Sequence, residues 1–264
     1  MIVADRVTLA AQLRALGLPA GATVLAHCAL SRIRPDPAGP ATLLAALRDT
    51  LGEAGTVVVP TSTPGNSITS RAFRAVTAGM SSAQVAAAEA AIPAFDPAHS
   101  PVEGVGAFAE HVRRCAGARR SRHPHSSFAA LGRDAAALTA VHDLDCHLGE
   151  RSPLGALYAG DALVLLLGVG WSVCTAFHLA EYRLHRPAAQ RAYRCYIRDD
   201  EGRRVRRDFR APHLEDGDFA LVGQAVEASG TARAGRVGAA DCRLVRLRVA
   251  VDIARAWMDE HRRT

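Results

Sequence analysis

The fold is decided by the stretch ALVLLLGVGWSVCTAFHLAEY, residues 162–182. Its first six residues, 162–167, form an unbroken apolar run with the length of a strand buried on both faces. Gly168 and Gly170 then allow the backbone to turn sharply. Residues 175–182 have the character of a helix, and the Thr175 side chain can cap its N-terminus. The stretch therefore predicts a strand, a glycine turn and a helix, and ligands of α/β proteins bind at the carboxyl ends of such strands.

The predicted helix carries a histidine and a glutamate on one face. His178 falls in the first turn, where the positive end of the helix dipole disfavours a charged imidazole. A neutral imidazole can accept a proton as a general base, and Glu181, three residues later, can orient it or stabilise it once protonated. The same spacing is common in helices without a catalytic role, so an ordinary structural pair stays open. The spacing is too short for a helical zinc motif, and no metal is expected.

Composition limits the class of protein. The chain has 264 residues, of which 49% are hydrophobic, which is enough for a sizeable core. No window is long and apolar enough to cross a bilayer, and the N-terminus lacks the order of a secretory signal, so we expect a cytoplasmic protein without a membrane partner. The six cysteines are scattered without a Cys-x-x-Cys pair, which predicts buried free thiols rather than a zinc or redox motif.

Arginine carries the positive charge of this chain. The formal net charge is +6, and the sequence contains no lysine. An arginine-rich surface can bind the phosphates of a cofactor or of nucleic acid, or it can reflect biased codon usage. We find no recognition-helix, zinc-finger or ribonucleoprotein motif and therefore expect no nucleic-acid partner. The densest arginine run, residues 203–210, is typical of a solvated strand in a hairpin with its turn at residues 199–202.

The rest of the chain alternates between strand and helix patterns. This order predicts one α/β domain over residues 1–264 with a mixed sheet and a parallel crossover near its start. A polar segment rich in phosphate-compatible donors spans residues 119–128. Predicted strands cover residues 23–28, 55–60, 162–167, 192–197, 205–209 and 235–249. Predicted helices cover residues 8–17, 40–51, 82–91, 105–115, 134–142, 218–229 and 251–262.

Several short motifs, taken together and in order, resemble one family. They include AHCALS at residues 26–31, GTVVVPT at 55–61, FDP at 95–97, RSRHPHSSFAALG at 120–132, GVG with TAFHLAEY at 168–182, and GRVGAA at 235–240. Each is weak alone, but the series covers nearly the whole chain. It resembles the aminoglycoside 3-N-acetyltransferase family, also called the antibiotic N-acetyltransferase family.

The resemblance implies a fold and a reaction. The fold would be a three-layer α/β/α sandwich with a mixed central sheet, in a monomer or a homodimer. Acetyl-CoA would be the co-substrate and an aminoglycoside amine, at its 3-amino position, the usual acceptor. His178 matches the family's histidine, and Glu181 would support it and attract the cationic substrate. A base fits this chemistry, because an amine is mostly protonated at neutral pH and only its free form attacks a thioester.

The resemblance also places the coenzyme. The Thr175 hydroxyl, or backbone amides after Gly170, would polarise the thioester oxygen. The pantetheine and phosphates would lie along the first two strands and the polar segment, where arginine can pair with phosphate oxygens. The residues expected to bind CoA are His27, Leu30, Ser31, Thr61, Ser62, Arg120, Ser121, His123, Ser127 and Thr175.

A positively charged protein repels a polycationic substrate at long range, so local acidic groups would have to compensate. The residues expected to bind the substrate are Asp96, Glu181, Asp216 and Asp218, with Glu215 as a further candidate. For the acids from Glu215 onward, a structural role at a helix N-terminus is the competing interpretation.

Some positions depart from the family pattern. Cys28 and Ala29 replace two serines, and Cys174 stands where the family often has asparagine. The departures concern the acceptor that the enzyme would take. Three alternatives are open: an acyl-CoA-dependent N-acyltransferase that acts on another natural-product amine, a covalent mechanism through Cys174 near a helix N-terminus, and a phosphate- or nucleic-acid-binding module without catalysis.

Overall fold

The computed structural model describes residues 4–36 and 39–262. Its strands, β1 to β9 in chain order, are Thr23–Cys28, Thr56–Pro60, Arg119–Arg120, Phe128–Gly132, Leu163–Leu167, Gln190–Arg198, Arg204–Pro212, Arg233–Val237 and Ala240–Arg246. Its α-helices, α1 to α11, are Arg6–Leu16, Leu30–Ile33, Pro40–Leu51, Arg71–Val76, Ser82–Ala90, Gly106–Arg114, Ala135–Thr139, Pro153–Ala159, Phe177–Glu181, Phe219–Ala228 and Leu247–His261.

Seven of these strands form the central sheet, in the order β3-β4-β2-β1-β5-β9-β8. β1 pairs in parallel with both β2 and β5. The pairs β2–β4, β3–β4, β5–β9 and β8–β9 are antiparallel. The sheet is therefore mixed, as predicted, and the three parallel strands at its centre direct their carboxyl ends to one edge.

Helices cover both faces of the sheet because successive side chains of its strands point to opposite sides. Leu165 and Leu167 of β5 belong to a core with α1, α3 and α6. Val164 and Leu166 belong to the opposite core, with α8 to α11. This arrangement confirms the three-layer α/β/α fold and explains why β5 is apolar throughout.

The remaining strands, β6 and β7, form a separate hairpin. Asn66 fastens it to the segment that follows β2: its Nδ2 donates to the carbonyl oxygens of Pro93 (2.8 Å) and Tyr196 (3.0 Å), and its Oδ1 accepts from the Tyr196 amide (2.9 Å). The arginine-rich β7 is mostly exposed, as predicted, whereas Cys195 of β6 is fully buried. The hairpin and the segment after β2 form one wall of the cleft described below.

Three predictions about elements were wrong. The expected strand 235–249 is the hairpin β8–β9, which turns at Gly238 (φ 58°) and is followed directly by α11 from Leu247. The buried positions of α11 recur every three or four residues, which is a helical period. The helix expected over 134–142 covers only Ala135–Thr139. Thr175 does not cap α9, because the capping position is Ala176. None of the helices in the described part of the chain has both the length and the apolar character needed to cross a membrane.

Candidate active site

The carboxyl end of β5 positions the site. Gly168 has a φ of 66°, and a β-carbon there would lie 3.0 Å from the Arg32 Cβ and 3.1 Å from the Ala240 Cβ, so the turn requires glycine. A 3₁₀ turn, Trp171–Val173, then leads to α9. α9 packs against α10 and α11, and Phe177 anchors it in the core with its ring centroid 5.4 Å from that of Phe219.

His178 and Glu181 form the pair that their spacing predicted. The His178 Nδ1 lies 2.5 Å from the Glu181 Oε2. The His178 side chain is 16% exposed, whereas that of Glu181 is 1% exposed. A carboxylate only accepts hydrogen bonds, so an ionised Glu181 fixes the proton of a neutral His178 on Nδ1. The Nε2 of His178 is then the ring nitrogen that can accept a proton.

Glu181 is held by two further donors. Its Oε1 accepts from the Glu215 backbone amide at 2.8 Å and from the Arg262 Nη1 at 2.6 Å. Arg262, directly after α11, also donates from Nε and Nη2 to the Asp218 carboxylate at 2.7 and 2.6 Å. A buried carboxylate needs a paired charge and satisfied oxygens to stay ionised. Arg262 therefore links the end of α11 to the His178–Glu181 pair.

A cleft of about 930 Å³ opens beside His178. Its lining comes from the segment after β2, the segments before and after β4, α9, and the β6–β7 hairpin with the residues that follow it. Its lining includes His125, Ser126, His147, His178, Tyr193 and Asp216.

Two of these lining residues are buried histidines with an unpaired ring nitrogen. The Nε2 atoms of His125 and His147 have no hydrogen-bond partner among the residues that the structure describes. Burial lowers the pKa of His125 to about 4 and that of His147 to about 3, so both are neutral at pH 7. The rings of Tyr193 and Phe209 pack on His147, with centroids 4.5 and 5.4 Å from it. The cleft thus presents neutral imidazoles and aromatic surface beside His178.

A narrower groove of about 270 Å³ lies at the carboxyl ends of the parallel strands. Its lining includes three residues that were expected to bind CoA, namely His27, Ser62 and Thr175. The Nε2 of His27 is buried and unpaired within the described residues, and burial lowers its pKa to about 4. A neutral, unpaired imidazole in a narrow groove suits the amide-bearing arm of a coenzyme.

The groove continues into a wider pocket of about 840 Å³, since Val169 lines both. This pocket presents Ser31, four arginines and two acids, Glu227 and Asp241, and Glu227 is paired with Arg243 at 2.6 Å. The arginines are Arg32, Arg34, Arg236 and Arg243. Leu30, which was also expected to contact CoA, packs instead against the core. A narrow groove that opens into a guanidinium-rich pocket fits a thin chain that ends in phosphates.

The groove and the cleft are lined by two residues of the same turn of the chain. Thr175 lines the groove and His178 lines the cleft. The two residues are joined by a hydrogen bond of 3.1 Å from the His178 amide to the Thr175 carbonyl oxygen. A group delivered through the groove would therefore arrive beside the imidazole.

The polar segment after α6, residues 119–128, was expected to contact the coenzyme, but several of its side chains form hydrogen bonds inside the protein instead. The Arg120 guanidinium donates to Thr61 O (2.7 Å), Ser127 Oγ (3.0 Å) and Thr61 Oγ1 (3.1 Å), and also to the Ser100 carbonyl oxygen. Burial lowers its pKa to about 10. Its donors are thus engaged within the protein, and the Thr61 and Ser127 side chains are fully buried.

The Ser121 and His123 side chains also form hydrogen bonds inside the protein. Ser121 Oγ accepts from the Phe128 amide at 2.9 Å, and His123 Nδ1 accepts from the His125 amide at 3.1 Å. Neither residue has exposed surface. The structure thus brings His27, Ser31, Ser62 and Thr175 to a common surface, but not Leu30, Thr61, Arg120, Ser121, His123 or Ser127.

The acidic residues that were expected to bind the substrate lie in different parts of the structure. Asp216 lines the cleft. Asp218 is paired with Arg262, and Glu181 lies behind His178. Asp96 lies outside the cleft lining, where its carboxylate contacts the His99 Nδ1 (3.0 Å) and the Arg198 Nε (3.8 Å). Of the acids expected to attract a substrate, Asp216 alone among the described residues borders the cleft directly.

Comparison with known proteins identifies this arrangement. The family model described as aminoglycoside 3-N-acetyltransferase matches residues 25–259. The chain belongs to the aminoglycoside 3-N-acetyltransferase family. It is 39% identical, over 97% of its length and 91% of the relative's, to aminoglycoside N(3)-acetyltransferase VII from Streptomyces paromomycinus.

Solved structures of the same family share the fold. The YokD protein from Bacillus subtilis has a TM-score of 0.93 and 33% identity, with 99% of this chain and 96% of that chain covered. The structure described as AAC-IIIb binary with CoASH has a TM-score of 0.85 and 30% identity, with 98% and 97% covered. The chain is therefore an acetyltransferase of this family, as its motifs predicted.

Sequence reasoning missed several residues of the acetyltransferase cleft. His147 and Tyr193 come from a loop and a hairpin far from His178 in the chain, and no local spacing connects them to it. His125 lay inside a motif that was recognised, but its role was hidden among neighbouring polar residues. The basic residues of the cleft, Arg71, Arg74 and Arg191, carry no motif at all.

Proposed function

We propose that this enzyme transfers an acetyl group from acetyl-CoA directly to a primary amine, with His178 as general base and Glu181 as its partner. The observation that carries the proposal is the His178–Glu181 pair at the junction of groove and cleft, with a distance of 2.5 Å between Nδ1 and Oε2. Acetyl-CoA supplies the activated acetyl group as a thioester.

The proton transfer depends on the His178 and Glu181 side chains. The His178 Nε2 accepts the proton that the substrate ammonium must lose before its nitrogen attacks the thioester carbonyl. The C–S bond then breaks, and the imidazolium can return a proton to the departing CoA thiolate. The imidazolium formed is stabilised by Glu181, whose own charge is fixed by Arg262 at 2.6 Å. Because Glu181 is already ionised and oriented, little rearrangement accompanies the proton transfer.

Four residues that reach a surface are proposed to hold the donor. His27, Ser62 and Thr175 would contact the arm of the coenzyme in the groove. Ser31 would contact the phosphate end in the pocket beyond, together with the neighbouring arginines. The Thr175 hydroxyl is also proposed to polarise the thioester oxygen, since it lies one turn before His178.

A covalent route through cysteine is disfavoured by burial. Cys174 is fully buried, and burial raises its pKa to about 12. Burial likewise raises the pKa of Cys28, which lines the groove, to about 12. The nucleophilic form of cysteine is the thiolate, so both thiols are inert at neutral pH.

Two classes of acceptor are candidates. The names of the relatives favour an aminoglycoside amine at its 3-position. Another amine, the alternative that the motifs left open, is favoured by the charge of the cleft, because Arg71, Arg74 and Arg191 line it against a single acid, Asp216.

The reaction is tested by thiol release from acetyl-CoA with kanamycin and with simple amino sugars, and by the mass of the product. We expect one CoA thiol released for each acetylated amine. Intact-mass spectrometry of the enzyme with acetyl-CoA alone should show no acetyl adduct. An adduct that forms and decays at the rate of turnover would contradict direct transfer.

A further inference from the structure

The acceptor cleft has an unusual balance of charge for a polycationic substrate. Arg71 and Arg74, one turn apart on α4, and Arg191 on β6 all line it. Asp216 is its one carboxylate among the described residues. Three guanidinium groups from two separate elements thus converge on the space in front of His178.

These guanidinium groups are not neutralised by the protein. Across residues 4–36 and 39–262, none of the three forms an ion pair with a carboxylate. Arg74 Nε donates to the Ser70 carbonyl oxygen at 3.4 Å, and Arg191 Nη2 donates to the Thr69 carbonyl oxygen at 2.9 Å. Both contacts are to backbone, so the positive charges remain available to a ligand.

Most of the nearby acids outside the lining are engaged by other groups: the Glu215 carboxylate lies 3.8 Å from the His213 Nδ1, and the Glu103 carboxylate accepts from the Gly65 amide at 2.7 Å. Glu181 and Asp218 are paired with Arg262, at 2.6 Å in each case. Glu89, behind the hairpin, is paired with Arg194 at 3.0 Å. The cleft lining therefore carries more positive than negative charge, which disfavours a polycation and favours an anion.

The geometry points to an acceptor that is a small amine whose other end carries an oxyanion, either a phosphate or a carboxylate. This inference rests on the proposed function. The amine lies at the His178 Nε2, with Asp216 beside it, and the oxyanion pairs with Arg71, Arg74 and Arg191. Guanidinium groups bind phosphate and carboxylate through paired, charge-assisted hydrogen bonds. Such an acceptor complements both signs of charge in the cleft.

The test measures binding by isothermal titration calorimetry to the CoA-saturated enzyme, so that the coenzyme's own phosphates do not compete. Glucosamine 6-phosphate and glucosamine form a pair that differs only in the phosphate. We expect glucosamine 6-phosphate to bind at least roughly tenfold more tightly, as charge-assisted contacts to a phosphate allow. Inorganic phosphate should compete with it, and kanamycin should bind more weakly.

Variants assign this preference to the cleft. In Arg71→Gln/Arg74→Gln and in Arg191→Gln the preference for the phosphorylated sugar should be largely lost, with the affinity for CoA unchanged. Arg207→Gln, an exposed arginine of β7 outside the cleft, serves as the control and should retain it.

Four results would each overturn the inference. Glucosamine 6-phosphate could bind no better than glucosamine or not detectably, or kanamycin could bind more tightly. The preference could also survive in the cleft variants, or those variants could weaken CoA binding instead. The proposed function fails separately. If the phosphorylated sugar binds as expected but no acetyl transfer depends on His178, the acid–base assignment is wrong while the anion selectivity stands.

Discussion

At the scale of single residues, the site depends on how Glu181 is kept charged in the interior. Its two oxygens meet His178, Arg262 and the Glu215 amide, so an ionised carboxylate has a partner on each side. Spacing alone predicted the His178–Glu181 contact, because residues three apart on a helix are neighbours. Arg262 could not be foreseen, since its role arises only when the end of α11 meets α9.

Arg262→Met should therefore weaken catalysis without removing any group that touches substrate. The Glu181 carboxylate would lose its cationic partner, and the turnover number should fall while the KM for acetyl-CoA stays unchanged, because Arg262 touches neither substrate. Such an unpaired buried charge costs about 3 kcal/mol or more. Steady-state assays that separate the turnover number from the KM for acetyl-CoA measure this effect.

Arg255→Met is the matched control, since Arg255 lies on α11, which ends just before Arg262, and forms its ion pair with Asp259, at 3.8 Å. Arg262→Lys should restore part of the activity. An unchanged turnover number in a folded Arg262→Met variant would show that Arg262 has a structural role alone.

Two cysteines near the site, the fully buried Cys174 and the partly buried Cys28, lead to a second prediction. Cys28→Ala and Cys174→Ala should keep most of the turnover, because burial raises the pKa of both thiols to about 12 and leaves no thiolate to react. Turnover of each folded variant is measured by thiol release. A loss of about 10²-fold or more in either one, the scale of a lost catalytic group, would favour the covalent route.

At the scale of elements, the apolar strands were predictable and the polar segments were not. β1 and β5 match their predictions closely, because a short apolar run between turn residues has few other solutions. The segment that contains Arg120, Ser121 and Ser127 was expected to contact the coenzyme, yet its donors satisfy backbone groups and one another. Composition identifies a donor, but only the fold determines which acceptor it meets.

The close packing of α10 against the turn before α9 can be tested by a substitution. A β-carbon on Gly223 would lie 2.0 Å from the Trp171 Cγ. Gly223→Ala should therefore destabilise the protein by about 1–3 kcal/mol despite the better helix propensity of alanine. It should also lower turnover, because Trp171 supports the turn that leads to His178.

Denaturant unfolding measures the stability change. Gly217→Ala is the control, because a β-carbon there meets nothing within 4 Å. Equal stability of the two variants would contradict the packing described for α10.

At the scale of the whole molecule, five buried or partly buried histidines connect stability to pH, and one of them is His123, whose pKa burial holds well below its ordinary value. Burial lowers the pKa of His27, His125 and His142 to about 4 and that of His147 to about 3. In the unfolded chain a histidine titrates near 6.5, so below that pH the unfolded state binds protons that the folded state refuses. Their contribution to stability is complete above about pH 6.5 and is lost as the pH falls towards about 4.

The free energy of unfolding should accordingly fall by roughly 1.4 kcal/mol per pH unit for each such histidine between about pH 6 and pH 4.5. Urea unfolding at a series of pH values measures the slope, and His142→Gln should reduce it. A stability that is level over this range would mean that these imidazoles are accessible to protons in the folded state.

The central claim is that His178 removes the proton from the attacking amine. It is tested most directly by comparing the turnover number and the CoA affinity of His178→Ala with those of His213→Ala, a second histidine of the same cleft whose side chain is 44% exposed. The account predicts a loss of roughly 10²- to 10⁴-fold in turnover for His178→Ala, with CoA affinity unchanged, and a minor effect for His213→Ala. Near-normal turnover in a folded His178→Ala enzyme would contradict it.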